Sequence, residues 1–263
     1  MATMDLSTLL FGSVPRAIPN LSLLAGLKIL VLAPHPDDFD AIGVTLQRLS
    51  NNGNPIYVAI APTGSGVEDA FCPSFTLAQK ADLRKEEQRQ SLQFFGLPEN
   101  CITFLSLSND AEEDQPLDNS ENAALILTLV RQEAPDIVFL PHGNDTNNGH
   151  RAMYSLFSQS VRRLGNPLAA FLIRDPKTIG MRTDLYTPFG QAEADWKAKL
   201  LRFHDSQHQR NLRTRGQGFD DRILAVNRKT AQDLALAHEY AEAFEVELYN
   251  HRFNESQQPN PCD

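Results

Sequence analysis

Several protein classes are excluded by what this chain has little of. Its three cysteines, Cys72, Cys101 and Cys262, are odd in number and widely spaced, so they support no disulfide framework and read as reduced thiols of a cytoplasmic protein. Positive charge is also short. Lys and Arg number 24 against 33 Asp and Glu, a net charge of -9, which argues against nucleic-acid partners, because phosphate backbones demand clustered cations. No apolar run reaches the length of a membrane span, the longest candidate being interrupted at Lys28. The first residues, MATMDLSTLLFG, lack the basic region of a signal peptide. There is no internal repeat. What remains is 263 residues with 41% hydrophobic content, enough for one large core: a single domain over 1–263, with 1–26 as an extension along its outside and 251–263 as a polar tail.

Against that background one stretch concentrates chemistry. Residues 28–43 read KILVLAPHPDDFDAIG. Ile29 to Leu32 are a continuous apolar run, suited to a strand buried on both faces. Directly after it come His35, Asp37, Asp38 and Asp40, and then a helical apolar pattern over 40–51. Groups that are costly to bury are thus gathered where a strand hands over to a helix, the carboxyl edge at which open α/β sheets bind ligands. The turn is stiffened by Pro36, and the spacing of His35 and Asp38 lets both face one point while Asp37 looks beside it. Nitrogen plus carboxylate oxygen suits zinc and is acceptable to iron, manganese or cobalt. Such a site needs a third ligand, and the segment PHGNDTNNGH, 141–150, offers one after a second apolar run at 137–140.

Taken in order, the chain reads as strands at 29–32, 55–61, 102–107, 137–140 and 168–173. Helices are expected at 40–51, 77–95, 123–131, 152–163, 192–203 and 223–244. Residues 174–190 read as irregular, and the acidic loop 109–118 as a solvated connection rather than a cation site. The Gly-Ser turn at 62–65 reads as a plain turn rather than an anion cradle. Leu83, Leu92, Phe94 and Phe95 are the expected core face of the 77–95 helix. The alternation of strand and helix predicts a mainly parallel sheet covered on both faces, a three-layer α/β fold.

The HPDD run after a first strand, followed by Asp145 and His150 after a later one, resembles the LmbE/PIG-L family of metal-dependent N-deacetylases. Arg84, Glu87, Ser91, Phe95 and Gly96 resemble its helix pattern, and FHDSQ at 203–207 and YAEAF at 240–244 resemble its carboxyl-terminal blocks. The resemblance implies a Rossmann-like fold and zinc, or another divalent transition metal, held by His35, Asp38 and His150. It implies Asp37 as general base, Arg84 and Asp145 near the substrate, and Asp40 as a carboxylate supporting the site. The implied substrate is a small N-acylated, most plainly N-acetylated, amino sugar or glycoconjugate. The resemblance does not decide between a monomer and a homo-oligomer.

Two departures stand out. Asn147 replaces a histidine that the family uses at the oxyanion or the leaving group, and Gly149 replaces the carboxylate that would orient it. Asn147 can donate a neutral hydrogen bond but no proton, and His142 is the nearest substitute in sequence. Phe39 stands where many members have Glu, with Asp40 one place later. Plainer readings exist for each residue. His35 can be a strand-end histidine bonded to a carbonyl, His142 a backbone-bonded one, and His150 a surface group. Arg84 can pair with Glu87 or Gln88 on the helix surface, and Asp145 can cap a helix beginning near Asn148. His204 and His238 read as structural residues on helices, while Tyr240 and Glu242 either edge the pocket or pack. The loops 63–76 and 175–190 are expected to line the cavity. A sugar-binding module that keeps the metal without turnover is the alternative to an enzyme.

Overall fold

Every residue of Ile29–Ala33, Ile137–Pro141 and Leu168–Ile173 is buried in the computed structural model, which describes residues 14–20 and 26–250. Strands that read as unbroken apolar runs need cover on both faces, and they have it. Alternate residues of the Ile29–Ala33 strand point into different cores. Ile29 and Val31 join Phe39, Leu46, Phe139, Phe171 and Phe244. Leu30 and Leu32 join Ile126, Leu140, Met153 and Phe157 on the opposite face. Each such fully buried side chain stabilises the fold by roughly 1.5–3 kcal/mol.

The strands are β1 (Arg16–Ala17), β2 (Ile29–Ala33), β3 (Ile56–Ile60), β4 (Ile102–Phe104), β5 (Ile137–Pro141), β6 (Leu168–Ile173), β7 (Leu185–Phe189) and β8 (Tyr240–Tyr249). They form one 8-stranded sheet in the order β1-β7-β8-β6-β5-β2-β3-β4. Pairing is parallel from β4 through β6, while β8 runs antiparallel to both β6 and β7. The helices are α1 (Gly43–Asn51), α2 (Leu77–Phe95), α3 (Ser120–Glu133), α4 (Asn148–Val161), α5 (Gln191–Arg202), α6 (Asp205–Arg215) and α7 (Phe219–Asp233). From β2 the chain winds outward through β3 and β4, then returns to place β5 on the other side of β2. The strand order therefore reverses between β2 and β5, and that reversal opens a crevice at their carboxyl ends. It is here that the HPDD turn and the 141–150 segment come together. Among the described residues no helix is long and apolar enough to cross a membrane.

The mainly parallel α/β architecture is as expected, and four local expectations are corrected. The 223–244 segment is not one helix: α7 stops at Asp233, and β8 begins at Tyr240. The stop uses Ala235 at φ 51° in place of the glycine that usually marks such an end. His238 accordingly lies in the connection and not on a helix. Residues 174–190 contain β7. Helix α6 was not expected because its buried face is polar, Ser206, Gln207 and Asn211, and shows no apolar period. Helix α2 likewise turns Arg84, Glu87, Gln88 and Ser91 inward beside Leu92, while Phe94 is 40% exposed. Most of the 1–26 extension and all of the 251–263 tail lie outside the described residues.

Candidate active site

Backbone geometry concentrates at the end of β2. Asp37 has φ 132°, a conformation that costs a non-glycine residue about 1–3 kcal/mol unless its surroundings hold it. They do so from α2. Gln88 Oε1 accepts the Asp37 amide at 2.9 Å, and Arg84 Nη2 donates to the Pro36 carbonyl at 2.7 Å and reaches Asp37 Oδ2 at 3.3 Å. The other arm of the guanidinium bonds the Thr63 carbonyl and hydroxyl. Arg84, expected at the substrate, lines the cavity, but it is only 2% exposed and its hydrogen bonds go mainly to the turn. Beneath lies Asp40, fully buried, which accepts from Gln88 Nε2 at 3.0 Å, Ser91 Oγ at 2.8 Å and His204 Nε2 at 2.8 Å. Asp40 orients Gln88, and Gln88 holds the amide of Asp37.

His35, Asp38 and His150 offer ligand atoms that all lie within 4.8 Å of one another. His35 Nδ1 stands 3.3 Å from Asp38 Oδ2, and His150 Nε2 3.4 Å from Asp38 Oδ1. Two donors on one tetrahedral ion with bonds of about 2.0–2.1 Å are separated by roughly 3.3–3.4 Å. The other nitrogen of each ring is already engaged. His35 Nε2 faces Gln115 Oε1 at 2.7 Å, and a carboxamide oxygen only accepts, so Nε2 carries the proton and Nδ1 keeps its lone pair. His150 Nδ1 faces Asp145 Oδ2 at 3.2 Å, which leaves Nε2 toward Asp38. Two nitrogens and one carboxylate make a donor set for zinc or a similar divalent ion.

Charge supports the same fit. Burial presses His150 toward neutrality, yet Asp38 and Asp145 outweigh it and hold its pKa well above the ordinary value. Burial would raise Asp38, but His150 and then His35 hold it far below the usual carboxylate range. Both shifts report one attraction between rings and carboxylates, the pattern that a cation on the same atoms would also satisfy. Beside the cluster, burial pushes the Asp37 carboxyl above its ordinary range, against the pull of Arg84.

The other expected residues divide between the cavity and the interior. His142 accepts the Asn144 amide at Nδ1, 2.9 Å, and turns Nε2 to Glu245 at 3.4 Å, away from the cavity. Asp145, expected at the substrate, has a fully buried carboxylate that also accepts from the Asn147 amide at 2.7 Å and Thr178 Oγ1 at 3.1 Å. Asn147 lines the cavity. Its Oδ1 caps α4 through the Gly149 amide at 2.9 Å, and its Nδ2 makes no hydrogen bond with any described residue. Helix α4 begins at Asn148, where the capping reading of Asp145 put it and ahead of the 152–163 pattern, but its cap is Asn147, and His150 sits in its first turn. Glu242 lies under α1, accepting the Thr45 amide at 2.7 Å and pairing with buried Lys197 at 2.7 Å. Tyr240 packs on Phe189. Neither edges the cavity.

Gln115 was missed. The acidic loop is not a solvated connection: Asp114 takes the amides of Gly64 and Ser65 at 2.6 and 3.2 Å, which makes that turn an anion cradle for the chain's own carboxylate. Gln115 then reaches His35. Gly149 explains the room, because a Cβ there would collide with Gln115 Oε1 and come within 2.8 Å of His35 Nε2. The cavity, about 450 Å³, is further lined by Ser65 and Gly66 from the 63–76 loop and by Asp175 and Lys177 from the 175–190 loop.

A doubly wound α/β sheet with two imidazoles and a carboxylate gathered at its switch point, and a second carboxylate beside them, has the parts of a metal site with a neighbouring base. The family model described as PIG-L, GlcNAc-PI de-N-acetylase, matches residues 30–161, and the chain belongs to that family. Among curated proteins no sequence match is found. Among solved structures, N,N'-diacetylchitobiose deacetylase from Pyrococcus horikoshii superimposes with a TM-score of 0.68 at 20% identity, over 84% of this chain and 83% of that one. GalB, the 4-carboxy-2-hydroxymuconate hydratase from Pseudomonas putida KT2440, gives 0.63 at 17% over 84% and 95%. The zinc-inhibited form of teicoplanin deacetylase Orf2 gives 0.58 at 15% over 86% and 100%. At these identities the likeness is one of fold, and a fold shared by deacetylases and a hydratase does not choose the reaction.

Proposed function

We propose that this protein is a divalent-metal-dependent amide hydrolase that removes an N-acyl group, N-acetyl foremost, from an amino sugar or glycoconjugate. One observation carries the reading: the inner nitrogens of His35 and His150 converge on the Asp38 carboxylate while Asp37, beside them, faces Arg84 instead. Membership in a de-N-acetylase family supports the bond type, and the chitobiose and teicoplanin deacetylases share the fold. A divalent ion on these residues, zinc by donor chemistry, supplies Lewis acidity to an amide carbonyl and brings the pKa of water to about 7.

The chain's own groups do the rest. Asp37, fixed by Arg84 and Gln88, takes a proton from the attacking water and returns it to the departing amine. Asn147, which lines the cavity and whose Nδ2 has no hydrogen-bond partner among the described residues, donates a neutral hydrogen bond to the carbonyl oxygen as charge builds there. His142 takes no part.

Acetate release from N-acetylglucosamine and its derivatives, with zinc loaded, tests the reading. Asp37→Asn should lower turnover by about 10²–10⁴ with metal content retained. The second reading, binding without turnover, is motivated by the loss of histidine at Asn147 and is the one supported if no acylated amine is cleaved.

A further inference from the structure

Two buried charges stand outside the cavity and take no part in the proton transfer there. Lys197 on α5 and Glu242 on β8 are 0% and 1% exposed and pair at 2.7 Å. Both lie beyond residues 30–161, the span that the family model matches. A buried ion pair is a poor source of stability, because desolvating two charges offsets most of their attraction and apolar side chains of similar volume often do as well. What apolar side chains cannot do is hold backbone polar groups, and this pair holds three.

In an unbroken helix the Thr45 amide would bond the carbonyl of Ala41, four residues earlier. Here the amide donates to Glu242 Oε2 at 2.7 Å, and the carbonyl accepts from Lys197 Nζ at 2.6 Å. Glu242 Oε1 also takes the Val44 amide at 3.2 Å. A carboxylate from β8 therefore caps α1, whose own preceding residue, Ile42, supplies no side-chain cap. The third proton of Lys197 goes to Asn227 Oδ1 on α7 at 2.8 Å, which leaves the ammonium fully used. Gly43 makes this approach possible: a Cβ there would stand 2.7 Å from Leu200 Cδ2 of α5.

Ala41 also reaches the other way, into the HPDD turn. Its amide and that of Asp40 both donate to the Asp37 carbonyl, at 3.3 and 3.1 Å. Ala41 thus holds Asp37 through its amide and is held by Lys197 through its carbonyl. Gln88 and Arg84 fix the peptide on the amide side of Asp37 from α2, and Lys197 secures the carbonyl side from α5.

We propose that the Lys197–Glu242 pair is a positioning device for the metal site: set between the Ala41 carbonyl and the Thr45 amide, it fixes the angle between α1 and the turn, and with it the reach of Asp37 and Asp38. This rests on the reading of His35, Asp38 and His150 as metal ligands and is independent of the substrate.

Zinc affinity, measured by competition with a chelating dye, tests the assignment apart from turnover. In the full chain, Lys197→Met with Glu242→Gln replaces the ion pair by neutral side chains of similar volume, so no lone charge stays buried. Gln can still accept the Thr45 amide, but Met cannot hold the Ala41 carbonyl. Val130→Ala, in the core on the opposite face of the sheet, is the comparison for destabilisation unconnected with the turn. The double variant should bind zinc about tenfold more weakly than the unaltered chain, and Val130→Ala should bind it equally. A folded double variant with undiminished zinc affinity, or a Val130→Ala that loses as much, overturns the proposal. Hydrogen exchange on the unaltered chain reads the same coupling in reverse and stands even if the double variant does not fold. Zinc should slow the Val44 and Thr45 amides, which Glu242 holds, by a larger factor than the amides of α3. Equal slowing overturns it. Acetate release is scored separately. Hydrolysis by the unaltered chain without these effects defeats the positioning role alone, while the effects without hydrolysis uphold it and defeat the amide reading. An unaltered chain that binds no zinc overturns both.

Discussion

His150 and His35 face the same carboxylate, but they are braced by different chemistry. His150 leans on Asp145, an ionised group whose own oxygens are held by the Asn147 amide and Thr178. His35 leans on Gln115, a neutral carboxamide from a loop 80 residues away in sequence. A carboxylate fixes the tautomer and also raises the basicity of the ring, whereas a carboxamide fixes the tautomer with little added charge. The asymmetry matches position. His150 begins a helix beside a second acidic residue, Asp175, while His35 sits under a lid formed by the loop that Gly149 makes room for. The two rings, 5.2 Å apart between centroids, come from neighbouring strand ends and share Asp38 between them.

Removing the braces should therefore cost unequally. Asp145→Ala should weaken zinc binding the most, by about 10–100-fold, and should also destabilise the fold by leaving the Asn147 amide and Thr178 hydroxyl unpaired. Competition against a chelating dye and a denaturant midpoint measure the two effects. Gln115→Ala should weaken zinc binding less, toward the tenfold end of that range. If it costs as much as Asp145→Ala, the distinction between charged and neutral bracing is wrong. Gly149→Ala places a Cβ against Gln115 and His35 Nε2, so it should displace the same carboxamide. Its effect should not add to that of Gln115→Ala in a double-mutant cycle.

The smallest expected effect lies one layer further out. Burial would lower the His204 pKa, but Asp40 at 2.8 Å outweighs burial and raises it. The folded chain then holds a proton that the unfolded chain releases near its ordinary value of about 6.5. This stabilisation is fully present below that pH and is lost as pH rises through the folded value. His204→Gln should flatten the fall in denaturant midpoint on the alkaline side of about pH 6.5. A constant difference between the two proteins across that range would show that the pair carries no linked proton.

The parallel half of the sheet was legible because burial on both faces writes itself as continuous apolar runs, as at Ile29–Ala33 and Ile137–Pro141. The HPDD turn was legible because its groups are consecutive. Arg84 lay in the recognised helix pattern, yet its actual service, holding a strained Asp37, depends on where α2 crosses the turn. Gln115 could not be read at all, since a glutamine in an acidic loop has no local signature and its contact with His35 is long-range. Helix α6 escaped for the converse reason. Its inward residues are polar because they serve the site: Ser206 donates to Glu87 and Gln207 to the Gly66 carbonyl. The missing signal at the α7 to β8 junction was a glycine that this chain does without, Ala235 taking its conformation.

Two overlapping groups of side chains could hold an ion, His35 with Asp38 and His150 through Nε2, or Asp145 and Asp175 with the same histidine through Nδ1. Anomalous scattering at the zinc edge from crystals of the loaded protein separates them in one experiment. The account predicts a single peak within bonding distance, about 2.0–2.2 Å, of His35 Nδ1, an Asp38 oxygen and His150 Nε2, with Asp37 outside it. A peak between Asp145 and Asp175, or one bonded to Asp37, would contradict it.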